Sequence, residues 1–261
     1  MSSPHLLAMR EERRAVLDFC RDLDAAQWAA PSAATGWSIG DVVLHLTTAA
    51  RALVTPALAA VMTSRDLERL NDQWVDEARS HSTKHLLDDY ARWSERACRA
   101  LRVATAPGPD LIRLPLGELG WYPLRLAPAM FVADWHIHLR HDIAPAVDRE
   151  PPPTDPHRMR TVLIWLTTLL ARSHREALSW LDAPVALTLT GQGGGTWRIE
   201  PRGGRLRVRP GQATGAAAHI AGLAPEFPQW STRRTPWRAC AVAVTGDAEL
   251  GARVLDSINL V

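Results

Sequence analysis

The sequence predicts a helical N-terminal domain followed by a smaller α+β domain. Three observations lead there. Apolar residues recur at helical spacing through most of the first half. The run Ala144-Pro-Ala-Val-Asp-Arg-Glu-Pro-Pro-Pro-Thr-Asp-Pro then interrupts the pattern as a stiff, extended connector. Beyond it, short strand-like runs alternate with glycine-rich turns. A length of 261 residues suits two domains of ordinary size. We place them at 1–148 and 156–261.

Taken in order, Leu7, Val16, Leu17, Cys20 and Leu23 define a first helix from about Pro4 to Leu23. After a Pro/Ala/Gly loop, Trp37-Ser38-Ile39-Gly40-Asp41 signals a helix start, because Ser38 can cap and Asp41 at N3 can return the bond. That helix runs through Val42, Val43, Leu46 and Leu53 to Pro56, where it kinks or restarts. Further helices are expected over about Arg65–Glu77 and Lys84–Val103. The stretch Ala106–Pro123, with its glycines and alternation, reads as a loop or irregular hairpin. Pro128 suits the first turn of a helix reaching about Ile143.

In the second half, a helix is expected over about Arg158–Leu181, then strands Val185–Thr190, Thr196–Glu200 and Leu206–Arg209. Gly191-Gln-Gly-Gly-Gly reads as a hairpin turn; it lacks the Gly-Lys-Ser/Thr ending of a phosphate loop. Ala218–Gly222 and Ala241–Thr245 are further candidate strands, and Asp247 is a good N-cap for a final helix ending near Leu260.

Composition excludes several functions. The chain is 46% hydrophobic and 22% charged, and its net charge of +2 with dispersed arginines gives no footprint for nucleic acid. No apolar run is long enough to span a bilayer, and the N-terminus lacks a secretory signal, so the expected location is the cytoplasm. Cys20, Cys98 and Cys240 are widely separated, which argues against a thiolate zinc site and against a disulfide scaffold.

The informative segment is Asp134-Trp-His136-Ile-His138-Leu-Arg-His141-Asp142. On a helix advancing roughly 100° per residue, Asp134, His138 and His141 share one face, and His136 points away. A carboxylate and an imidazole at i, i+4 can close on one metal ion. The third ligand must come from elsewhere, and His45, flanked by core positions on the capped helix, is the candidate. Two histidines and one carboxylate leave open coordination positions, as a catalytic site requires. Taken singly, each residue also reads blandly: His45 as a core histidine, and Asp134 as a dipole partner near its helix start. Trp28, Trp37, Trp121 and Trp135 read as core filler before pocket lining.

Gly36-Trp-Ser-Ile-Gly-Asp-Val-Val-Leu-His45-Leu resembles the G-W-x-x-x-D-x-x-x-H-L helix of the DinB-like, mycothiol-dependent maleylpyruvate isomerase family. Asp134-x-x-x-His138-x-x-x-Asp142-Ile resembles the family's E/D-x-x-x-H-x-x-D-hydrophobic motif, and Val244-Thr-Gly-Asp-Ala-Glu-Leu-Gly resembles the close of its sterol-carrier-like domain. The resemblance implies a DinB-like four-helix bundle followed by a small sterol-carrier-like α+β domain. It implies His45, Asp134 and His138 as ligands of a divalent metal, usually zinc, and mycothiol as cosubstrate or coenzyme. The chain departs from the pattern in two places. Asp134 stands where many members have Glu. His141 takes the place of the family's Asp and Asp142 is displaced by one, which leaves His141 open as a fourth ligand, a general base or a substrate contact. Trp230-Ser-Thr-Arg233-Arg234 resembles the family's W-x-x-G-R and makes Arg234 the candidate anchor for a substrate carboxylate or a polar group of the thiol.

The function expected from these readings is S-transfer of the thiol to a small electrophilic metabolite. The alternatives are a mycothiol-dependent cis-trans isomerase of maleylpyruvate type, a metal-dependent hydrolase, and a non-catalytic small-molecule or lipid-binding protein.

Overall fold

The computed structural model describes residues 3–79, 85–105, 112–173, 176–203 and 205–260. The chain divides into two compact units, Met1–Pro153 and Thr154–Val261.

The first unit is built on long helices. They are α1 (Pro4–Cys20), α3 (Ile39–Leu53), α5 (Leu67–Arg79), α6 (Leu86–Ala104) and α7 (Ala127–Ile137), with short α2 (Ala25–Ala29) and α4 (Leu58–Thr63) between them. Helix α3 buries Ile39, Val42, Val43, Leu46 and Ala50, a stripe at i, i+3, i+4, i+7 and i+11. That face packs against α6, while α1 packs against both α6 and α7. The core between them holds Met9, Val16, Tyr90, Cys98, Phe131 and Trp135, with Tyr90 and Trp135 edge to face at 5.6 Å.

The start of α3 forms as its sequence predicts. Ser38 Oγ accepts from Asp41 N at 3.1 Å, and Asp41 Oδ2 accepts from Ser38 N at 2.8 Å. Arg79 from α5 adds two bonds to the Asp41 carboxylate, at 2.8 and 3.1 Å. At Pro56 the helix restarts rather than kinks: α3 stops at Leu53 and α4 begins at Leu58.

Of the Ala106–Pro123 stretch, 106–111 lie outside the described residues. The remainder is a tight hairpin of β1 (Arg113–Pro115) and β2 (Trp121–Pro123), joined by a 3-10 turn. Glu118 in that turn accepts the backbone N–H of Leu67 at 2.8 Å, satisfying a donor at the start of α5.

Helix α7 does not run regularly to Ile143. After Ile137 it widens into a π-helical turn over His138–Ile143, in which Ala144 N bonds Leu139 O at 3.0 Å, an i→i+5 bond.

The second unit holds α8 (Pro156–Ser173) and a five-stranded sheet in the order β5-β4-β3-β6-β7. The strands are β3 (Val185–Thr190), β4 (Gly195–Arg202), β5 (Arg205–Pro210), β6 (Ala218–Leu223) and β7 (Ala243–Gly246). The β3–β6 pair is parallel and the others are antiparallel. Val185, Leu187, Leu189, Trp197, Ile199 and Ile220 are buried on the sheet, and Val162, Leu163, Leu166 and Leu170 on α8. Short α9 (Phe227–Ser231) and α10 (Ala248–Ser257) complete the unit, and Asp247 caps α10 through Leu250 N at 3.0 Å. The expected helix to Leu181 stops at Ser173; residues 174 and 175 lie outside the described residues and 176–180 form turns. Its apolar spacing persisted only because Leu178 and Leu181 are themselves buried. Among the described residues, no helix is long and apolar enough to cross a membrane.

Candidate metal centre

Two helices supply one cluster. His45 sits in the second turn of α3, buried to 6% exposure by the same stripe that buries Leu46. Asp134 lies on α7, and His138 begins the π turn one helical step further on. His45 Nε2 lies 3.4 Å from Asp134 Oδ1, and His138 Nε2 lies 3.5 Å from the same oxygen. Each of the three residues offers one donor atom, and those atoms all lie within 4.8 Å of one another.

These spacings test whether a metal fits. The two contacts are longer than well-formed hydrogen bonds to a carboxylate. With zinc–donor bonds of about 2.0–2.2 Å, tetrahedral ligand atoms stand roughly 3.3–3.6 Å apart. The Asp134 contacts fall in that range, and the donor set of two imidazoles and one carboxylate suits zinc or another divalent first-row metal.

The surroundings orient the rings. Asp142 Oδ2 lies 2.7 Å from His138 Nδ1, and Asp142 is fully buried. With the proton on Nδ1, the His138 lone pair is left on Nε2, facing Asp134. The Asp142 backbone carbonyl accepts from Ala33 N at 3.1 Å, which ties this turn to the loop before α3. His45 Nδ1 is buried with no hydrogen-bond partner among the described residues, so its ring is held by packing and by what Nε2 meets. Trp37 supplies that packing. Its ring lies 5.2 Å from the His45 ring and 6.4 Å from that of His138, and its Nε1 donates to Asp72 on α5 at 3.1 Å. Asp134 is the most open of the three, its side chain 28% exposed.

His141 is not brought into the cluster. The π turn advances each residue by roughly 80° instead of 100°, so by His141 the helix lags its regular phase. Asp142, four residues after His138, meets its ring, and His141 faces His136, with ring centroids 6.2 Å apart. Sequence reasoning set Asp142 aside as displaced and took Trp37 for filler. The displaced Asp was itself the signal, since one extra residue within a helix is what a π turn absorbs.

The expected Arg234 lies in the second unit, half-buried after α9, with its N–H on Gln229 O at 3.0 Å. Its neighbours are engaged elsewhere. Arg233 donates to the carbonyls of Asp256 and Ile258, and Arg238 makes a two-pronged pair with the Asp256 carboxylate.

Fold and cluster together define a class: a mixed helix-and-sheet protein whose helical unit holds an ion-sized set of two histidines and an aspartate. The sequence signature of the mycothiol maleylpyruvate isomerase N-terminal domain matches residues 9–139, half of the chain and all three cluster residues, and the protein belongs to that family. Two solved structures share the fold: the mycothiol-dependent maleylpyruvate isomerase, at a TM-score of 0.60, and its histidine-to-alanine mutant, at 0.59. Each is 15% identical, with 94% of this chain and 93% of the other covered. A search of curated proteins gives no significant sequence match.

Proposed function

We propose that this protein is a metal-dependent mycothiol S-transferase, in which His45, Asp134 and His138 hold a divalent metal, zinc in the first instance. One observation carries the reading: both histidines present Nε2 to a single Asp134 oxygen at metal-ligand spacing. Family membership supports mycothiol as the thiol. In this reading residues 1–148 form a DinB-like four-helix bundle and residues 156–261 a sterol-carrier-like domain. The partners are the thiol and a small electrophilic metabolite, met in the cytoplasm, with neither nucleic acid nor membrane involved.

A bound divalent metal lowers the pKa of a thiol from about 8.5 far enough to give thiolate at neutral pH. The chain's own residues prepare that step. Asp142 keeps the His138 proton on Nδ1 and leaves Nε2 unprotonated. Trp37 walls one side of the two imidazoles and limits water there. The partly exposed Asp134 marks the side from which a thiol and an acceptor approach. Burial pushes the thiols of all three cysteines up, Cys20 to about 12 and Cys98 to about 11, with Glu226 adding to the effect at Cys240, so none is poised to compete as nucleophile. His141 as acceptor of the thiol proton, and Arg234 as anchor for a substrate carboxylate, remain part of the proposal. His141→Phe tests the first through the pH profile of kcat, and Arg234→Met tests the second through KM.

A second reading, cis-trans isomerisation, draws on the likeness to the solved isomerase structures. Both reactions begin with formation of a carbon–sulfur bond. In transfer the bond persists and thiol is consumed; in isomerisation the adduct rotates, the bond breaks and thiol is returned. The test is metal content of wild type and His45→Ala, followed by mycothiol added to the cobalt-substituted protein. Near-stoichiometric metal, lost in the variant, with a thiolate-to-cobalt charge-transfer band supports thiol activation, and thiol consumption then separates transfer from isomerisation. Turnover without thiol points to a hydrolase. Absence of metal from both proteins overturns the site and leaves a binding protein.

A further inference from the structure

Helix α5 has little core of its own. Of its 13 residues, all described, only Val75 is buried. Asp72, Val75 and Arg79 fall at i, i+3 and i+7, so they share one face, and α5 packs against α3. Polar bonds from that face converge on one short segment, Gly36 to Asp41, which carries Trp37. Arg79 donates to the Asp41 carboxylate at 2.8 and 3.1 Å and to the Gly36 carbonyl at 3.2 Å. Asp72 Oδ1 accepts from Trp37 Nε1 at 3.1 Å. The backbone before Trp37 and the polar edge of its ring are thus held by the same helix.

The held ring meets both imidazoles of the cluster. It lies at 42° to the His45 ring and 24° to that of His138, and those two rings have centroids 5.0 Å apart. Ring packing leaves an indole free to turn about its second torsion, which is broad and roughly two-fold. A hydrogen bond from the indole N–H is directional and fixes which edge points outward. The Trp37–Asp72 bond is exposed, so it adds little to global stability. Its effect falls on where the ring sits.

We infer that Asp72 is a positioning residue of the metal centre. By fixing Trp37 Nε1 it sets the indole against His45 and His138, so that α5 closes that side of the cluster to water. The apolar shell around a metal site controls solvent access to it and the strength with which its ligands hold the ion. Without the bond the indole turns more freely, and water reaches the two imidazoles and competes for the metal they hold. This inference rests on the metal reading of His45, Asp134 and His138.

The experiment measures zinc affinity of the full chain by competition with a chelating dye, as a double-mutant cycle. Asp72→Ala is expected to lower zinc affinity about three- to tenfold, at or below the low end of losses seen when an outer-shell partner is removed. The absorption bands of the cobalt-substituted protein should shift with it, while the Tm of the metal-free protein stays close to wild type. Trp37→Phe keeps a ring and removes the N–H. In that background Asp72→Ala should change zinc affinity by less than about twofold, because the carboxylate has no indole donor left to hold. Asp72→Asn keeps an acceptor oxygen and drops the charge, and it should bind zinc within about twofold of wild type. Zinc affinity of Asp72→Ala within twofold of wild type overturns the inference. An equal loss in the wild-type and Trp37→Phe backgrounds also overturns it, and so does a loss in Asp72→Asn as large as in Asp72→Ala, which would assign the effect to charge alone. A purely structural role would lower the Tm and leave the cobalt bands in place. Failure of the wild type to bind zinc would instead strike the metal reading itself, and this inference with it.

Discussion

Replacing Asp142 by alanine removes one carboxylate and little else. The side chain is wholly buried and its Oδ2 lies 2.7 Å from His138 Nδ1. The backbone carbonyl that receives Ala33 N is untouched, so the loop before α3 keeps its anchor. What is lost is a charge-assisted hydrogen bond, and what remains is a buried imidazole N–H with no acceptor there. Leaving such a donor unsatisfied costs about 1–3 kcal/mol. Loss of an outer-shell partner lowers metal affinity about 10–100-fold, which is roughly 1.4–2.7 kcal/mol, so the two routes agree. The assay is chelator competition for zinc, with thermal unfolding at fixed excess zinc as a second readout. A tenfold weaker site should lower the zinc-dependent part of the stability by about 1.4 kcal/mol. Asp142→Asn, which retains an acceptor oxygen, should fall between wild type and alanine. An Asp142→Ala protein that folds and binds zinc within twofold of wild type would refute the orienting role and the inferred tautomer of His138.

Three further outcomes follow from particular contacts. Ser38→Ala removes the hydroxyl half of the α3 capping box and should destabilise the protein by about 1 kcal/mol in urea unfolding. Burial pushes the Asp41 carboxyl up, but the Arg79 hydrogen bonds and those from the Ser38 N–H and hydroxyl outweigh it and hold it below the ordinary carboxylate range. Its folded pKa is therefore lower than its unfolded value of about 3.9, so its stabilisation is complete above that value and is lost as pH falls through the folded pKa. Asp41→Asn should accordingly differ most from wild type near neutral pH, and the gap should close below about pH 4 in acid titrations of unfolding. In the second unit, Gly246 has a φ of 76° and a Cβ there would meet Ala217 O at 2.6 Å, so Gly246→Ala should lower stability by about 1–3 kcal/mol, read by urea unfolding.

Much of this architecture was open to reading because it rests on local rules. The α3 start was legible from Ser38 and Asp41, since a capping box is a three-residue pattern satisfied by its own backbone. His45 followed from its place on the apolar stripe, and Asp134 with His138 from i, i+4 spacing on one helix. The strands of the second unit were legible from alternation, but not their order. The parallel pairing of β3 with β6 spans two intervening strands, which no local pattern encodes. Helices α2 and α9 passed unseen because five residues carry too little periodicity to register.

The phase of the helix beyond His138 failed for a different reason, and it bears on how such motifs are read. Periodicity assigns His141 to the cluster only if every residue advances by the same angle. Here the turn widens at His138, and the contact that accompanies the widening joins Arg140 to a residue on α1, far away in sequence. The face a ligand helix presents is thus a tertiary property even where its existence is a local one. An Asp one place out of register in a metal-site helix therefore has two structural meanings: a lost partner, or an intact partner delivered by a wider turn. The 2.7 Å approach of Asp142 Oδ2 to His138 Nδ1 distinguishes them. By that test Asp142 keeps its contact with His138, and His141, nearest to it in sequence, is turned toward His136.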